Sequence, residues 1–235
     1  AGRTDSFGNY VDAYILKLQS DGSLDWYETY GGSDYDGARS IQQVADGGYI
    51  VAGDTRSFGA GWSDAYILKL KSDGSLDWYK TYGGSGYDEA YSIQQVADGG
   101  YIVAGETYSF GTSGDAYILK LQSDGSLDWY ETYGGSDYDG ARSIQQVADG
   151  GYIVAGDTRS FGAGWSDAYI LKLKSDGSLD WYKTYGGSNY DHAYSIQQVA
   201  DGGYIVAGDT YSFGTSVDVY ILKLDKDGNT GPYPE

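Results

Sequence analysis

The sequence predicts an all-β protein: a β-propeller of four-stranded antiparallel blades, with four blades per chain plus a surplus N-terminal hairpin. Three observations carry this prediction. A unit restarts at Asp12, Asp64, Asp115, Asp167 and Asp218, at spacings of 52, 51, 52 and 51 residues. Each unit holds four short runs of strand character separated by turn residues. No run sustains an apolar period of 3.6 residues, so helix is expected to be almost absent. Four strands at a period of roughly 40–50 residues is the pattern of a propeller blade. One propeller uses all 235 residues, so residues 1–235 are read as a single domain, with a five-bladed ring as the alternative.

The strands follow in order along the first unit. Residues 13–18 (AYILKL) and 24–30 (LDWYETY) flank Ser20-Asp21-Gly22, and residues 38–44 (ARSIQQV) and 49–54 (YIVAGD) flank Asp46-Gly47-Gly48. Each pair reads as a hairpin, because Asp-Gly supplies the positive φ of a two-residue turn. The blade order is then ARSIQQV innermost, YIVAGD, AYILKL, and LDWYETY at the outer edge. Tyr14, Leu16 and Leu18 point to one face of their strand and Ala13 and Ile15 to the other, as a blade packed between two neighbours requires. Ala52 and Gly53 suit the crowded part of the blade. Trp26, Trp78, Trp129 and Trp181 fall in the outer strands and read as blade packing. The two longer connections, residues 30–37 (YGGSDYDG) and 55–64 (TRSFGAGWSD), are rich in Gly, Asp and aromatics, and both fall on one face of the propeller.

The pattern W-Y-x-T-Y-G-G-S-x-Y-D, then G-G-Y-I-V-A-G, S-F-G and D-A-Y-I-L-K-L, resembles the SBBP-type propeller repeats of secreted bacterial and archaeal proteins. The resemblance spans all but the last few residues. It implies an extracellular or cell-surface module with structural or interaction roles, and it transfers no catalytic residue.

Composition narrows the function classes. Acidic residues outnumber basic ones by 34 to 15, a net charge of −19, which repels phosphate backbones and argues against nucleic acid as a partner. Cys and Met are both absent, which suits an exposed or oxidising setting. No apolar run is long enough to span a membrane, so no membrane insertion is expected. The chain opens on Ala in mid-strand without a signal peptide, and processing or trimming is the expectation.

The two ends break the regularity. Residues 1–18 match residues 207–224, and the outer strand after Leu224 is replaced by DKDGNTGPYPE, whose Pro232 and Pro234 lack ladder donors. The hairpin of residues 13–18 and 24–30 is expected to have no inner strands of its own. An unpaired edge is a template for another strand. Closure of the ring against residues 195–224 of the same chain is the first expectation. Head-to-tail docking on another copy, giving a larger ring or filament, is the alternative. Ala13, Tyr14, Ile15, Leu16, Leu24 and Trp26 on the hairpin, with Tyr220, Ile221 and Leu222 on the last blade, are the candidate self-association residues.

Two constellations on the long-loop face are candidate sites. Asp34, Asp36, Asp88, Asp137, Asp139 and Asp191 recur around the channel mouth among Gly-rich loops, which suits a hard cation, calcium first, although no complete calcium loop is present and solvated turns explain the same residues. No cofactor is required by this reading. Residues 225–229 (DKDGN) begin like a calcium loop but lack its distal Glu. The second constellation is Arg56, Phe58, Trp62 and Asp64, repeated as Arg159, Phe161, Trp165 and Asp167. A Trp in a Gly-rich loop beside Arg and Asp suits a sugar ring, and plugging the gap between blades is the competing explanation. His192 is the only histidine and reads as drift at a surface position. No triad or metalloprotease motif assembles, and no unit offers a differently tuned acid and base, so the chain is not expected to be an enzyme. The function expected is an extracellular structural or self-assembling propeller; a glycan-binding propeller using the Arg/Trp loops is the alternative.

Overall fold

The computed structural model of the protein describes residues 1–7 and 10–231. Eighteen antiparallel strands form five sheets, and no helix occurs among the described residues. The first sheet is β1 (Gly2–Thr4), β2 (Asp12–Leu18) and β3 (Leu24–Tyr30). The second is β4 (Asp36–Gln43), β5 (Tyr49–Thr55), β6 (Asp64–Leu70) and β7 (Leu76–Tyr82). The third is β8 (Asp88–Gln95), β9 (Tyr101–Thr107), β10 (Asp115–Leu121) and β11 (Leu127–Tyr133). The fourth is β12 (Asp139–Gln146), β13 (Tyr152–Thr158), β14 (Asp167–Leu173) and β15 (Leu179–Tyr185), and the fifth is β16 (Asp191–Gln198), β17 (Tyr204–Thr210) and β18 (Asp218–Leu224). In-to-out order follows chain order, so β4, β8, β12 and β16 are innermost. Ile41, Ile93, Ile144 and Ile196, with Gln42, Gln94, Gln145 and Gln197, line the central channel.

The strands fall where the periodicity places them, with two local differences. The tight turns hold three residues rather than two. Gly22 N donates to Gln19 O (3.0 Å) and Gln19 N to Ser23 O (2.8 Å), leaving Ser20, Asp21 and Gly22 in the loop, with Gly22 at φ 84°. This is the turn-plus-bulge hairpin. Asp21 fits it because its carboxylate accepts the Ser23 amide at 2.9 Å. The second difference is that the inner strand begins at Asp36, not Ala38, which takes the Asp out of the loop and into the ladder.

A β-bulge shapes every inner strand. Ala38 pairs with Gly53 and Ser40 with Ala52, so Arg39 is the extra residue, and Tyr91, Arg142 and Tyr194 occupy the same place in later blades. Such bulges bend the strand and re-aim a side chain. The bulge drives Gly37 O against Gly53, where a Cβ would sit 1.8 Å from that oxygen; only glycine fits.

Sheets stack through apolar layers. Ala13 and Ile15 pack on Val51, Tyr66, Leu68 and Leu70 of the second sheet. The same arrangement joins the second sheet to the third, the third to the fourth and the fourth to the fifth. Each layer is locked by the outer strand. Trp26 lies against the turn glycine Gly74 of the next sheet, and the Tyr30 hydroxyl donates to the carbonyl of Gly74. Trp78 and Tyr82 repeat this at Gly125, Trp129 and Tyr133 at Gly177, and Trp181 and Tyr185 at Gly228. Inner strands are tied in one direction: Gln42 Oε1 accepts from Gln95 N, Gln94 from Gln146 N and Gln145 from Gln198 N, at 2.6–2.7 Å.

Neither the apolar layers nor the glutamine ties run from the fifth sheet back to the first among the described residues, so the described residues do not form the expected closure within one chain. Ile221 is 53% exposed where its equivalents Ile67, Ile118 and Ile170 are fully buried. Leu18 is 52% exposed where Leu70, Leu121 and Leu173 are fully buried. Gly22 faces open space where its equivalents meet a Trp. The N-terminal hairpin also has more of a blade than expected: β1 pairs with β2 as a partial second strand, with Gly2 opposite Tyr14. At the other end, Leu224 bridges Thr230 and the outer strand goes no further among the described residues; Pro232 and Pro234 lie outside them.

Candidate functional site

The long-loop face is built on one repeated hydrogen-bond network. Asp36 is fully buried and accepts from the Thr55 hydroxyl, from Ser57 Oγ at 2.6 Å and from Gly32 N at 2.8 Å. Asp88, Asp139 and Asp191 make the same three bonds in their blades. These carboxylates join two loops to the inner strand, and burial without such partners would be costly. Their oxygens accept from hydroxyls and amides, which accounts for them as structural anchors, while Asp34 and Asp137 stand outside in solvent. Among the described residues no three His, Asp or Glu side chains converge in a metal-sized group. In the DKDGN segment, Asp225 accepts from the amides of Asp227 and Asn229 and closes its own turn.

The Arg/Trp constellation divides. Asp64 is buried and accepts from Ala60 N (3.0 Å) and Gly61 N (3.1 Å), shaping the loop; burial pushes its carboxyl above the ordinary range. Asp167 does the same for Ala163 and Gly164. Phe58 packs on Tyr66 and Tyr79, and Phe161 on Tyr169 and Tyr182, so both plug the blade as the competing explanation supposed. Trp62 and Trp165 do not: they are 70% and 69% exposed.

Trp62 is nevertheless held firmly. Its backbone N donates to Gly86 O at 3.0 Å, and Ser63 pairs with Tyr87 as a bridge to the next blade's loop. Gly61 permits the approach, since a Cβ there would lie 2.5 Å from the carbonyl oxygens of Gly84 and Gly86. The Trp62 indole stacks on Tyr87, with ring centroids 6.2 Å apart and planes at 24°. Asp34, Arg56, Ala60, Gly61, Trp62, Ser85 and Tyr87 line a cleft of about 460 Å³. Arg56 rests on the Tyr35 ring at 5.3 Å. Ser85 and Tyr87 were missed from the sequence because they belong to the following unit; the shared loop face was the signal that could have found them. In the second copy Asn189 stands for Gly86, and Tyr190 stacks on His192.

A second polar centre surrounds the channel mouth, built on the bulges. The Arg39 and Arg142 guanidinium groups lie 4.9 and 4.6 Å from the centroid of the Tyr91 ring. Arg39 pairs with Asp54 (2.9 Å) and Glu89 (2.7 Å), and Arg142 with Asp157 (3.1 Å). Burial works against the Arg39 charge, but Asp54 and Glu89 hold its pKa above the usual range. In the last blade His192 Nδ1 meets Asp209 at 2.8 Å, and burial pushes Tyr194 up to about 12. His192 is therefore tied by a hydrogen bond into this polar ring rather than a free surface residue.

The candidate self-association residues also divide. Ala13, Ile15 and Leu222 are buried within the chain, while Trp26 and Tyr220 are partly buried against these same layers. Leu16, Leu24 and Ile221 are exposed, and Tyr14 stacks with Phe7 and meets Tyr27 at a tilt.

Radially arranged four-stranded blades around a channel, bearing loops on one face, define a β-propeller. The chain belongs to the DUF5122 β-propeller family, a domain of unknown function, whose profile matches residues 45–77, 97–128, 148–180 and 200–230. The likeness to SBBP-type repeats holds only at the level of a propeller repeat. Two solved structures are similar in fold. The WD40 domain of Neurospora crassa Pan2 shares 10% identity at a TM-score of 0.54, over 94% of this chain and 60% of that one. The periplasmic gluconolactonase PpgL of Pseudomonas aeruginosa shares 13% identity at 0.52, over 92% and 64%. The chain thus spans less than two thirds of their length, and at such identity the likeness concerns the fold alone. No curated protein matches the chain in sequence.

Proposed function

We propose that the protein is a structural and interaction module whose copies join head to tail, at the cell surface or outside the cell. The observation that supports this is the pair of uncovered faces. The first sheet presents Tyr14, Leu16 and Leu18, the face that a preceding blade covers elsewhere in the chain; the fifth presents Val219 and Ile221, the face that a following blade covers. The occupant that fits each is another blade of this repeat, so for this chain it is a second copy, and the junction continues the four internal layers. A heterologous joint of this kind gives a larger ring where the rotation closes and a filament where it does not.

Hiding the exposed parts of Leu16, Leu18, Val219 and Ile221 is worth roughly 3–6 kcal/mol. Association costs about 4–15 kcal/mol, so the joint is weak and depends on concentration. Lack of Cys and Met and the charge of −19 suit an exposed, crowded surface. The reading is of binding rather than catalysis.

Light scattering across a concentration series tests it. The chain is expected to grow in mass with concentration, and Val219→Asp with Ile221→Asp to remain monomeric with unchanged circular dichroism, because both residues are exposed in the single chain. A wild-type chain that stays monomeric at the highest soluble concentration would sink the proposal.

A further inference from the structure

We propose that the cleft between Trp62 and the loop of the following blade binds a neutral pyranose oligosaccharide. This goes beyond the head-to-tail reading and rests on different residues. A large indole left 70% exposed gives up burial that its size would otherwise supply, and exposed aromatic surface of this kind marks an interaction site. Here the exposure is enforced: Gly86 O fixes the Trp62 backbone, Gly61 allows the close approach, and Tyr87 backs the indole by stacking. The ring is thus a rigid apolar platform at the edge of a polar cleft.

The cleft supplies the hydrogen bonding that a sugar requires. Arg56 rests on Tyr35 and its guanidinium is in no ion pair among the described residues, so N–H groups remain there to donate to hydroxyls. Asp34 is exposed; one oxygen accepts from Tyr35 N at 2.7 Å, which leaves the other to accept. A donor and an acceptor beside an aromatic plane match a pyranose ring, whose C–H face packs on indole while its edge hydroxyls donate and accept. The volume of about 460 Å³ accommodates a short oligosaccharide rather than a single hydroxyl contact. The net charge of −19 disfavours uronate-rich and sulfated chains, leaving neutral sugars as the class.

The repeat supplies an internal comparison. The loop carrying Trp165 is identical in sequence to that carrying Trp62, but Asn189 replaces Gly86, and Tyr190 stacks on His192 at 6.2 Å and meets Tyr211 edge-on at 6.3 Å. Binding therefore concentrates at Trp62.

Titration of intrinsic fluorescence and of heat with cellohexaose, xylohexaose, mannohexaose and chitohexaose tests the proposal, with a heparin hexasaccharide as the anionic probe. Saturable binding of at least one neutral chain is expected. It should be lost in Trp62→Ala, weakened tenfold or more in Arg56→Ala, and retained in Trp165→Ala. Both tryptophans are exposed, so the variants fold, as near-ultraviolet circular dichroism of the four remaining blade tryptophans verifies. Absence of binding to every neutral chain, binding of heparin alone, or unchanged binding in Trp62→Ala overturns it. Self-association is read separately, on the Val219/Ile221 variant, so either proposal can fail without the other.

Discussion

Asp139→Ala measures how much the buried Asp network contributes. The carboxylate is fully buried and accepts from the Thr158 hydroxyl, from Ser160 Oγ at 2.6 Å and from Gly135 N at 2.8 Å. Truncation orphans three donors. Thr158 is itself buried, so its hydroxyl bears the full desolvation penalty of about 1–3 kcal/mol. Ser160 and Gly135 are part-buried and can turn to water, so each costs about 1 kcal/mol. The sum is roughly 3–5 kcal/mol, a large share of the 5–15 kcal/mol that holds an ordinary domain together. Thr158 Oγ1 also accepts from Ser160 N and Phe161 N, both at 3.1 Å, so loosening it frees the loop that carries Arg159 and Trp165. Urea denaturation followed by circular dichroism gives the shift in midpoint. Asp137→Ala, two residues away in solvent, is the comparison and is expected to cost less than about 0.5 kcal/mol. Equal shifts for the two variants would refute the assignment of Asp139 as a structural anchor, and a large loss of stability in excess chelator would restore the cation reading.

Two further outcomes follow from the same structure. Tyr82→Phe removes the hydrogen bond to Gly125 O that locks one blade to the next and should cost about 0.5–1.5 kcal/mol in the same titration; an effect no larger than that of the exposed Tyr27→Phe would show that the lock carries no stability. Stability should peak in mild acid. Burial raises Asp54, Asp64 and Asp115 above the ordinary 3.8, so the fold holds extra protons just above that value and loses stability as pH rises through the raised range. Lys69 and Lys223 hold Asp46 and Asp201 below 3.8, so their contribution is lost as pH falls below it. Melting temperature against pH should therefore rise from pH 7 toward the carboxylate range and fall beyond it; a steady decline from pH 7 downward would contradict this.

Much of the fold is legible in the chain because the information is local and repeated. The period of the units, the alternation in DAYILKL and the Asp-Gly turns fix strand number, faces and hairpins, since each depends on neighbours within one unit. The same alternation puts Trp26 and its copies against the next blade. The bulge at Arg39 is not legible, because it arises where Gly37 meets Gly53 across the ladder, and it decides that Arg39, Tyr91, Arg142 and Tyr194 form the channel mouth.

The candidate site was half visible. Arg56 and Trp62 stand out as an Arg and a Trp in a Gly-rich loop, and Asp36 as a repeated acid, but their environments are set between units. Asp36 begins a strand and is sealed by Thr55 and Ser57; Asp64 turns inward onto the amides of Ala60 and Gly61; Trp62 stays outside because Gly86 of the next blade holds its backbone. The sequence by itself determined the repeated blade, because strand and turn preferences act over a few residues. Only the tertiary structure decided which aspartates are buried anchors, that Tyr87 joins Trp62, and that the first and fifth sheets leave complementary faces uncovered. Those outcomes depend on how far one blade rotates past the next, and no single unit encodes that angle.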